Sequence, residues 1–566
     1  MSDQPTPTRQ PAADQPAGRD AAFEALVRRR FDAILERFPI FGTYLGLSQY
    51  DDRLGDGSRQ ALVDDIAESR EFLAQLEQVE AAELSPYHRF ERELAIFATR
   101  RQIFDDDVRR LWERRMSASD DIGDGVFLLF ARSARPLAER LAAINSRLEQ
   151  APRVLIEHRS RLGDRPQRLW NELELDAAGS VPSLFDEVHT AAVAELGEDH
   201  PETRRLERAA RSASAALEEY RGWLRERLGR AADDFALGAD GYAELVGLRA
   251  FDGLTPDDIL DIGEQQLAEN KAARKRVAAE IDPDAAEEEV RDRIKSDHPP
   301  SFDAALDGYR RAMAEARDFI VEHGIASIPA GEQLSVMATP EYLRKVMPFA
   351  AYFPAAKFEP VRAGVYIVTP SVDGDSGAMR EHNYASIYNT SIHEAYPGHH
   401  QQLSAALDHP SLVRLLVDAP EFIEGWAMYC EQMMREQGFD TAPEHVLMMY
   451  TDAIWRACRI ILDVRLHRGE IGVADAIDFL ARETGFERPN ATAEVHRYTY
   501  TPTYQLSYLL GKVLLLRLRA DEQRRLGDRF SLRAFHDALL GQGSLPISFQ
   551  RRALAGEGGD GRLPTG

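Results

Sequence analysis

The sequence predicts a mostly α-helical protein with a small β-sheet set just before its most informative segment. Three observations carry this. Apolar residues recur every three to four positions over long stretches, the period of a helix with one buried face. Short runs of β-branched and aromatic residues, bounded by Pro and Gly, gather between 331 and 370. Hydrophobic residues make up 44% of the 566, so the chain can bury a large core and is not globally disordered.

Residues 1–20, MSDQPTPTRQPAADQPAGRD, are rich in Pro, Gln, Asp and Ala and read as a disordered tail. They lack the apolar centre of a signal peptide, and no 18-residue apolar run offers a membrane span, so the cytoplasm is the expected compartment. From Ala21 to about Ala250 the pattern is helical; AAFEALVRRRFDAILERF, for example, spaces Phe23, Leu26, Val27, Phe31 and Leu35 along one face. Breaks fall at Ser85-Pro86, Gly163-Asp164 and Gly253–Pro256, where Thr255-Pro256-Asp257-Asp258 has the form of an N-cap followed by a first turn. The charged stretch 281–300 reads as a flexible connection or a structured surface turn. QLSVMATP, AAYFPA and AGVYIVTP are strand candidates, and Ser371–Gly377 is a loop. Helical periodicity then resumes nearly to residue 541. The expected layout is a helical lobe over 21–330, a catalytic portion over 331–550 continuous with it, and a flexible C-terminus at 551–566.

Charge and cysteine usage exclude several classes. Lys+Arg 69 against Asp+Glu 94 leaves a net charge of −25, which argues against nucleic-acid binding and against anionic membrane surfaces. Two cysteines, Cys430 and Cys458, exclude a disulfide scaffold and a Cys-rich zinc site.

The chemistry gathers in His393-Glu394-Ala395-Tyr396-Pro397-Gly398-His399-His400, with three His and one Glu in eight residues. In H-E-x-x-H metallohydrolases two His one turn apart grip zinc and the Glu activates water. Here the residue four after His393 is Pro397, which cannot be a ligand. In an unbroken helix His399 would stand about 120° away from His393, and His400 would share its face but lie about 10 Å along the axis. Pro397 and Gly398 can kink or bulge the helix. A bulge absorbing about two residues would carry His399 to the second-ligand position; His400 is the alternative.

A third ligand is commonly a Glu from a neighbouring helix. Asp418-Ala419-Pro420-Glu421 has the form of a helix start, and Glu424 follows on an otherwise apolar face with Ile423, Ala427 and Met428. A carboxylate there needs a partner, a metal or an ion pair. Gly425 permits close helix approach, and Glu431 reads as supporting or surface acid. Arg459, Asp463 and His467 recur every four residues, either as an intrahelical ion-pair ladder or as support and substrate-carboxylate binding. Arg459 and Arg497 are the candidate substrate-binding residues. The tyrosine-rich segment 494–508 offers an oxyanion donor: Tyr504 first, then Tyr498, then His496.

His393–His400, then Glu424-Gly425-Trp426-Ala427-Met428-Tyr429, then Arg497-Tyr498, Pro502, Gln505-Leu506-Ser507-Tyr508 and Gly511 resemble the bacterial "domain of unknown function 885" family over about residues 21–550. That family is similar in fold to the helical metallopeptidases of the thimet oligopeptidase, angiotensin-converting enzyme and thermostable carboxypeptidase type. The resemblance implies a large two-lobed helical body with a deep cleft, one Zn2+ held by His, His and Glu, and a short sheet edge beside the metal helix that aligns a peptide. Ala363–Pro370 stand where that edge would be.

The expected protein is a zinc-dependent hydrolase of short peptides with Glu394 as general base. A metal-dependent hydrolase of non-peptide amides or esters is the near alternative. A catalytically silent helical protein keeping a metal or ligand pocket is the distant one. The oligomeric state is not given by the sequence.

Overall fold

The computed structural model describes residues 15–131, 135–339, 350–370 and 378–558. Helices dominate, and one small three-stranded sheet accompanies them. The predicted breaks are where helices end and start. Ser85 and Thr255 cap the helices Pro86–Ile103 and Pro256–Ile281, each with Pro in the first turn, and Thr255 with Asp258 closes a reciprocal capping box. The charged stretch after Ile281 is structured: Glu287–Ser296 is a helix, with Val290 and Ile294 buried.

Two differences lie at the chain ends. The first helix begins at Gln15, not Ala21, because Arg19 pairs with Glu83 and Asp20 accepts the Ser85 N–H. The remainder of the expected tail, 1–14, lies outside the described residues, as do the Ser371–Gly377 loop and 559–566. The last helix runs Ile547–Leu554, where Arg551 pairs with Asp252 and Asp521, and Arg552 with Glu93 and Glu557.

The apolar interior is divided differently from the predicted lobes. One core joins the helices Ala118–Ala131, Leu137–Arg159, Arg168–Leu196 and Pro201–Arg225. A larger core begins at Tyr242 and runs to Ile547. The helices Pro256–Ile281 and Phe302–His323, assigned by sequence to the N-terminal lobe, pack into this second core; Gly263 lies directly against Ile460 of the helix Pro443–Arg468.

The strands are β1 (Gln333–Ala338), β2 (Ala350–Phe353) and β3 (Ala363–Val368), in the order β1-β3-β2. β3 pairs parallel with β1 and antiparallel with β2. The expectation that Ala363–Pro370 forms the exposed edge is therefore corrected. β3 carries the most apolar run, with Tyr366, Ile367 and Val368 buried, and takes the central position. The edge toward the site is β2, a short strand followed by Pro354.

Candidate functional site

The His-rich motif is broken in two. One helix runs Tyr384–Glu394, capped by Asn383, and the next starts at His399. Ala395–Gly398 form a tight link with a cis Tyr396–Pro397 peptide, held by Gly398 N–H donating to Ile392 C=O at 3.1 Å. Gly398 is required here, since a Cβ would meet the His393 carbonyl oxygen at 1.8 Å. Trp426 Nε1 donates to Pro397 C=O at 2.7 Å and ties this link to the helix Pro420–Glu436. That helix in turn crosses Leu509–Leu526 at a glycine pair: a Cβ on Gly425 would come within 2.6 Å of the Gly511 backbone.

The result brings His393, His399 and Glu424 together, with one potential ligand atom from each lying within 4.8 Å of the others. Among the described residues it is the one such His/Cys/Asp/Glu group. His399 Nε2 stands 3.3 Å and His393 Nε2 3.8 Å from Glu424 Oε2. Two atoms each about 2.0–2.2 Å from one tetrahedral ion lie about 3.4 Å apart, so the spacing and the donor set fit a zinc-type ion. His393 Nδ1 is 2.7 Å from Glu431 Oε1, the carboxylate–histidine arrangement that orients a ligand imidazole. Burial opposes charging of His393, yet its contacts with Glu424 and Glu431 outweigh that and push its pKa up to about 10. Glu424 is held far below the usual carboxylate range; burial works against this, and His399 and His393 overcome it.

His400 takes no part in this group. Its Nδ1 is 2.9 Å from the Tyr352 hydroxyl and its Nε2 2.6 Å from Glu332 Oε2. Glu332 also accepts from Tyr396 and pairs with Arg317; despite burial these partners hold its pKa down at about 2. Gly364 makes the space, because a Cβ there would meet the Tyr352 hydroxyl at 2.5 Å and His400 Nδ1 at 2.7 Å.

A cavity of about 490 Å³ opens onto the group, lined in part by Glu394, Tyr352 and Tyr508. Glu394 faces it without a hydrogen-bond or ion-pair partner among the described residues, whereas Glu431 is bound to His393. The predicted helix start is at Pro420, but it is capped at Ala419 without a side-chain bond, and Glu421 forms a buried pair with Arg249 at 3.0 Å.

The tyrosine segment is sorted by the structure. Tyr504 donates to Glu424 Oε1 at 3.2 Å and contacts the Tyr508 hydroxyl at 3.3 Å. It sits behind Glu424, and Tyr508 lines the cavity in its stead. Tyr498 is fully buried, donating to Glu494 and receiving Arg459 Nε. His496 lies on the opposite helix face from Glu494 and Tyr498, toward Glu172. Neither lines the cavity, nor does Arg497, which pairs with Glu494. Their alternation in a helix, Glu494 and Tyr498 on one face and His496 on the other, accounts for the separation.

Arg459 lines the cavity, as does Arg456, which sequence reasoning missed although it stands three residues earlier on the same helix. The ladder reading of Arg459, Asp463 and His467 does not describe their bonds. Arg459 pairs with Glu494; Asp463 accepts from the Tyr242 hydroxyl and Thr503 N–H; His467 Nε2 contacts Tyr498 C=O at 2.9 Å, and the His467–Asp463 approach is only 4.0 Å. The stripe fastens the 498–503 segment to its helix.

A mostly helical fold with a small sheet and this site defines the class of protein. The chain belongs to the family of bacterial proteins of unknown function (DUF885), whose model matches residues 39–554. The fold is similar to a candidate lipoprotein of unknown function from Shewanella oneidensis, at TM-score 0.77 and 23% identity, covering 94% of this chain and 99% of that one. It is also similar to a candidate lipoprotein from Colwellia psychrerythraea, at TM-score 0.81 and 18% identity, covering 95% and 99%. These likenesses establish the fold alone. No curated protein matches the chain. No described helix is long and apolar enough to cross a membrane.

Proposed function

We propose that this chain is a metal-dependent hydrolase of peptide bonds in short peptides, with one zinc-type ion held by His393, His399 and Glu424. One observation carries the reading: two imidazoles and a carboxylate converge at the wall of a cavity where a further carboxylate, Glu394, has no hydrogen-bond or ion-pair partner among the described residues. When bound, the ion supplies Lewis acidity toward a carbonyl and a more acidic water. The chain's own residues do the rest. Glu394 takes the proton of the attacking water and can return it to the leaving amine. Glu431 fixes the ring of His393 through Nδ1, and Tyr504 fixes Glu424 through its second oxygen. Tyr508 is the hydroxyl on this segment that faces the cavity and is the candidate oxyanion donor.

The test is metal analysis of the purified full chain, followed by hydrolysis assays over short peptides, non-peptide amides and esters. Glu394→Gln should keep its zinc and lose about 10²–10⁴ in rate. A zinc-free protein, or a Glu394→Gln variant with full activity, would overturn the reading. Cleavage of esters or non-peptide amides alone would redirect it to that substrate class. Both solved neighbours are described as candidate lipoproteins, which favours an envelope compartment over the cytoplasmic one expected from the sequence; cell fractionation decides between them.

A further inference from the structure

The helix Pro443–Arg468 turns one stripe toward the cavity: Asp452, then Trp455 and Arg456, then Arg459. The guanidinium carbons of Arg456 and Arg459 stand 4.2 and 4.0 Å from the centroid of the same Trp455 ring. Arg459 also lies 4.7 Å from the Tyr508 ring. Cation–π contact with these rings fixes both guanidinium groups and removes the entropy that ordinarily opposes arginine binding. Their own acids use only part of each fork. Arg459 spends Nη2 on Glu494 at 2.8 Å and Nε on the Tyr498 hydroxyl at 3.2 Å, leaving Nη1. Arg456 touches Asp452 only through Nη1, at 3.5 Å, and Asn389 also donates to Asp452. The Nε of Arg456 is closed off from solvent without a partner, so no incoming group reaches it, and with Nη1 on Asp452 the donor of this guanidinium left for one is Nη2.

We infer that Arg456 and Arg459 form an anion subsite for a carboxylate of the substrate, the C-terminal one or an acidic side chain. This rests on the hydrolase reading above and narrows its substrate to carboxylate-bearing peptides. Arg456 contributes its free Nη2 and Arg459 its free Nη1, two charged donors for the two oxygens of a carboxylate. The subsite shares the cavity with Glu394, so a peptide anchored there presents a bond near its anchored carboxylate to the candidate metal group. A C-terminal anchor makes the enzyme an exopeptidase; a side-chain anchor makes it an acidic-residue-specific one.

The experiment compares short peptides that differ only in a C-terminal acid or amide, and a second, amidated pair that differs only in an internal Glu or Gln. Binding is read by calorimetry on the full-length, zinc-loaded Glu394→Gln protein, and cleavage on the zinc-loaded parent. The charged member of one pair should be preferred about 10- to 100-fold, the scale of a charge-assisted hydrogen-bonded contact. Arg456→Gln should collapse that ratio, and Arg456→Lys should restore it only in part, since an ammonium keeps the charge but not the guanidinium's stacking on Trp455. The pair that shows the preference identifies which carboxylate is held. A preference in binding with no cleavage of any peptide keeps the subsite and removes the hydrolase reading. Equal binding of both members in both pairs, or a ratio unchanged in Arg456→Gln, overturns the subsite while leaving hydrolysis to stand on its own. Should Arg456→Gln fail to fold, the acid-to-amide and Glu-to-Gln ratios of the parent decide.

Discussion

Gly425 makes a sharp demand on the fold because it couples stability to the candidate site. Gly425 belongs to the helix that presents Glu424, and it faces Gly511 across a helix crossing. A Cβ at 425 would lie 2.6 Å from Gly511 Cα and carbonyl carbon and 3.0 Å from Lys512 N. All three are backbone atoms, so no rotamer change relieves the contact. Real Cβ atoms essentially never come closer than 3.0 Å, so the helices must separate by at least 3.0 − 2.6 = 0.4 Å at this point, and by 3.4 − 2.6 = 0.8 Å to restore ordinary contact. Gly425→Ala gains roughly 1 kcal/mol of helix propensity and loses roughly 1–3 kcal/mol or more to overpacking, a net loss. The geometric effect on Glu424 is larger in consequence. Metal-ligand distances tolerate about 0.2 Å, at most half of the forced displacement. We expect Gly425→Ala to lower Tm and to weaken zinc binding at least about tenfold, the lower end of what a lost supporting contact costs. Differential scanning calorimetry and competition with a chelating dye measure the two. Gly222→Ala is the matched control: its Cβ meets nothing within 4 Å, so it should match or exceed the parent in Tm and bind zinc equally. A Gly425→Ala protein with parental Tm and zinc affinity would refute the argument that this crossing sets the position of Glu424.

Three further outcomes are expected. His399→Ala should empty the metal group while His400→Ala leaves zinc content near the parent's, since His400 is bound to Tyr352 and Glu332; elemental analysis giving the reverse order would reassign the second ligand. Tyr508→Phe should lower kcat about 10²–10³ with zinc retained, whereas Tyr504→Phe, which strips a bond from Glu424, should weaken zinc binding about 10- to 100-fold; steady-state kinetics and zinc titration separate them. Burial pushes the Asp463 carboxyl up to about 7, against about 3.9 in an unfolded chain. The folded protein therefore keeps a proton that the unfolded chain has lost between about pH 4 and 7, and this group's contribution to stability falls as pH rises through that window. Asp463→Asn removes the dependence while an amide oxygen can still accept from Tyr242 and Thr503. Its stability relative to the parent should rise from pH 4 to 7 by as much as about 4 kcal/mol, and parallel pH profiles in denaturant titrations would contradict this.

Much of the helical frame was legible from periodicity and caps, because helices are specified locally. Ser85-Pro86 and Thr255-Pro256 each act within a single turn. What sequence left open depended on contacts distant along the chain. The first helix extends back to Gln15 through bonds to Ser85 and Glu83. β3 lies at the centre of its sheet because two other strands come to it, which no run of residues announces about itself. Arg456 carries no motif; only the orientation of its helix turns it to the cavity. Tyr352, 48 residues before His400, gains its place through that histidine.

The stretched motif itself shows where local reasoning reaches. His399 lies six positions after His393, a spacing that an unbroken helix turns away by about 120°. The two rings nonetheless stand with centroids 4.8 Å apart. Pro397 and Gly398 announce a break in the sequence, and the break is required: Gly398 lies where any side chain would strike the preceding turn, 1.8 Å from the His393 carbonyl oxygen. How far the chain turns at such a break is not a local property, so the sequence ranks His399 before His400 on an assumed bulge of about two residues and keeps both. That choice is made by partners from elsewhere. Glu332 and Tyr352 bind His400 on one side, and Glu424 stands by His399 on the other, on a helix held close by Trp426 and by two glycines. The motif supplies the donors, and the long-range contacts select which of them face the same point.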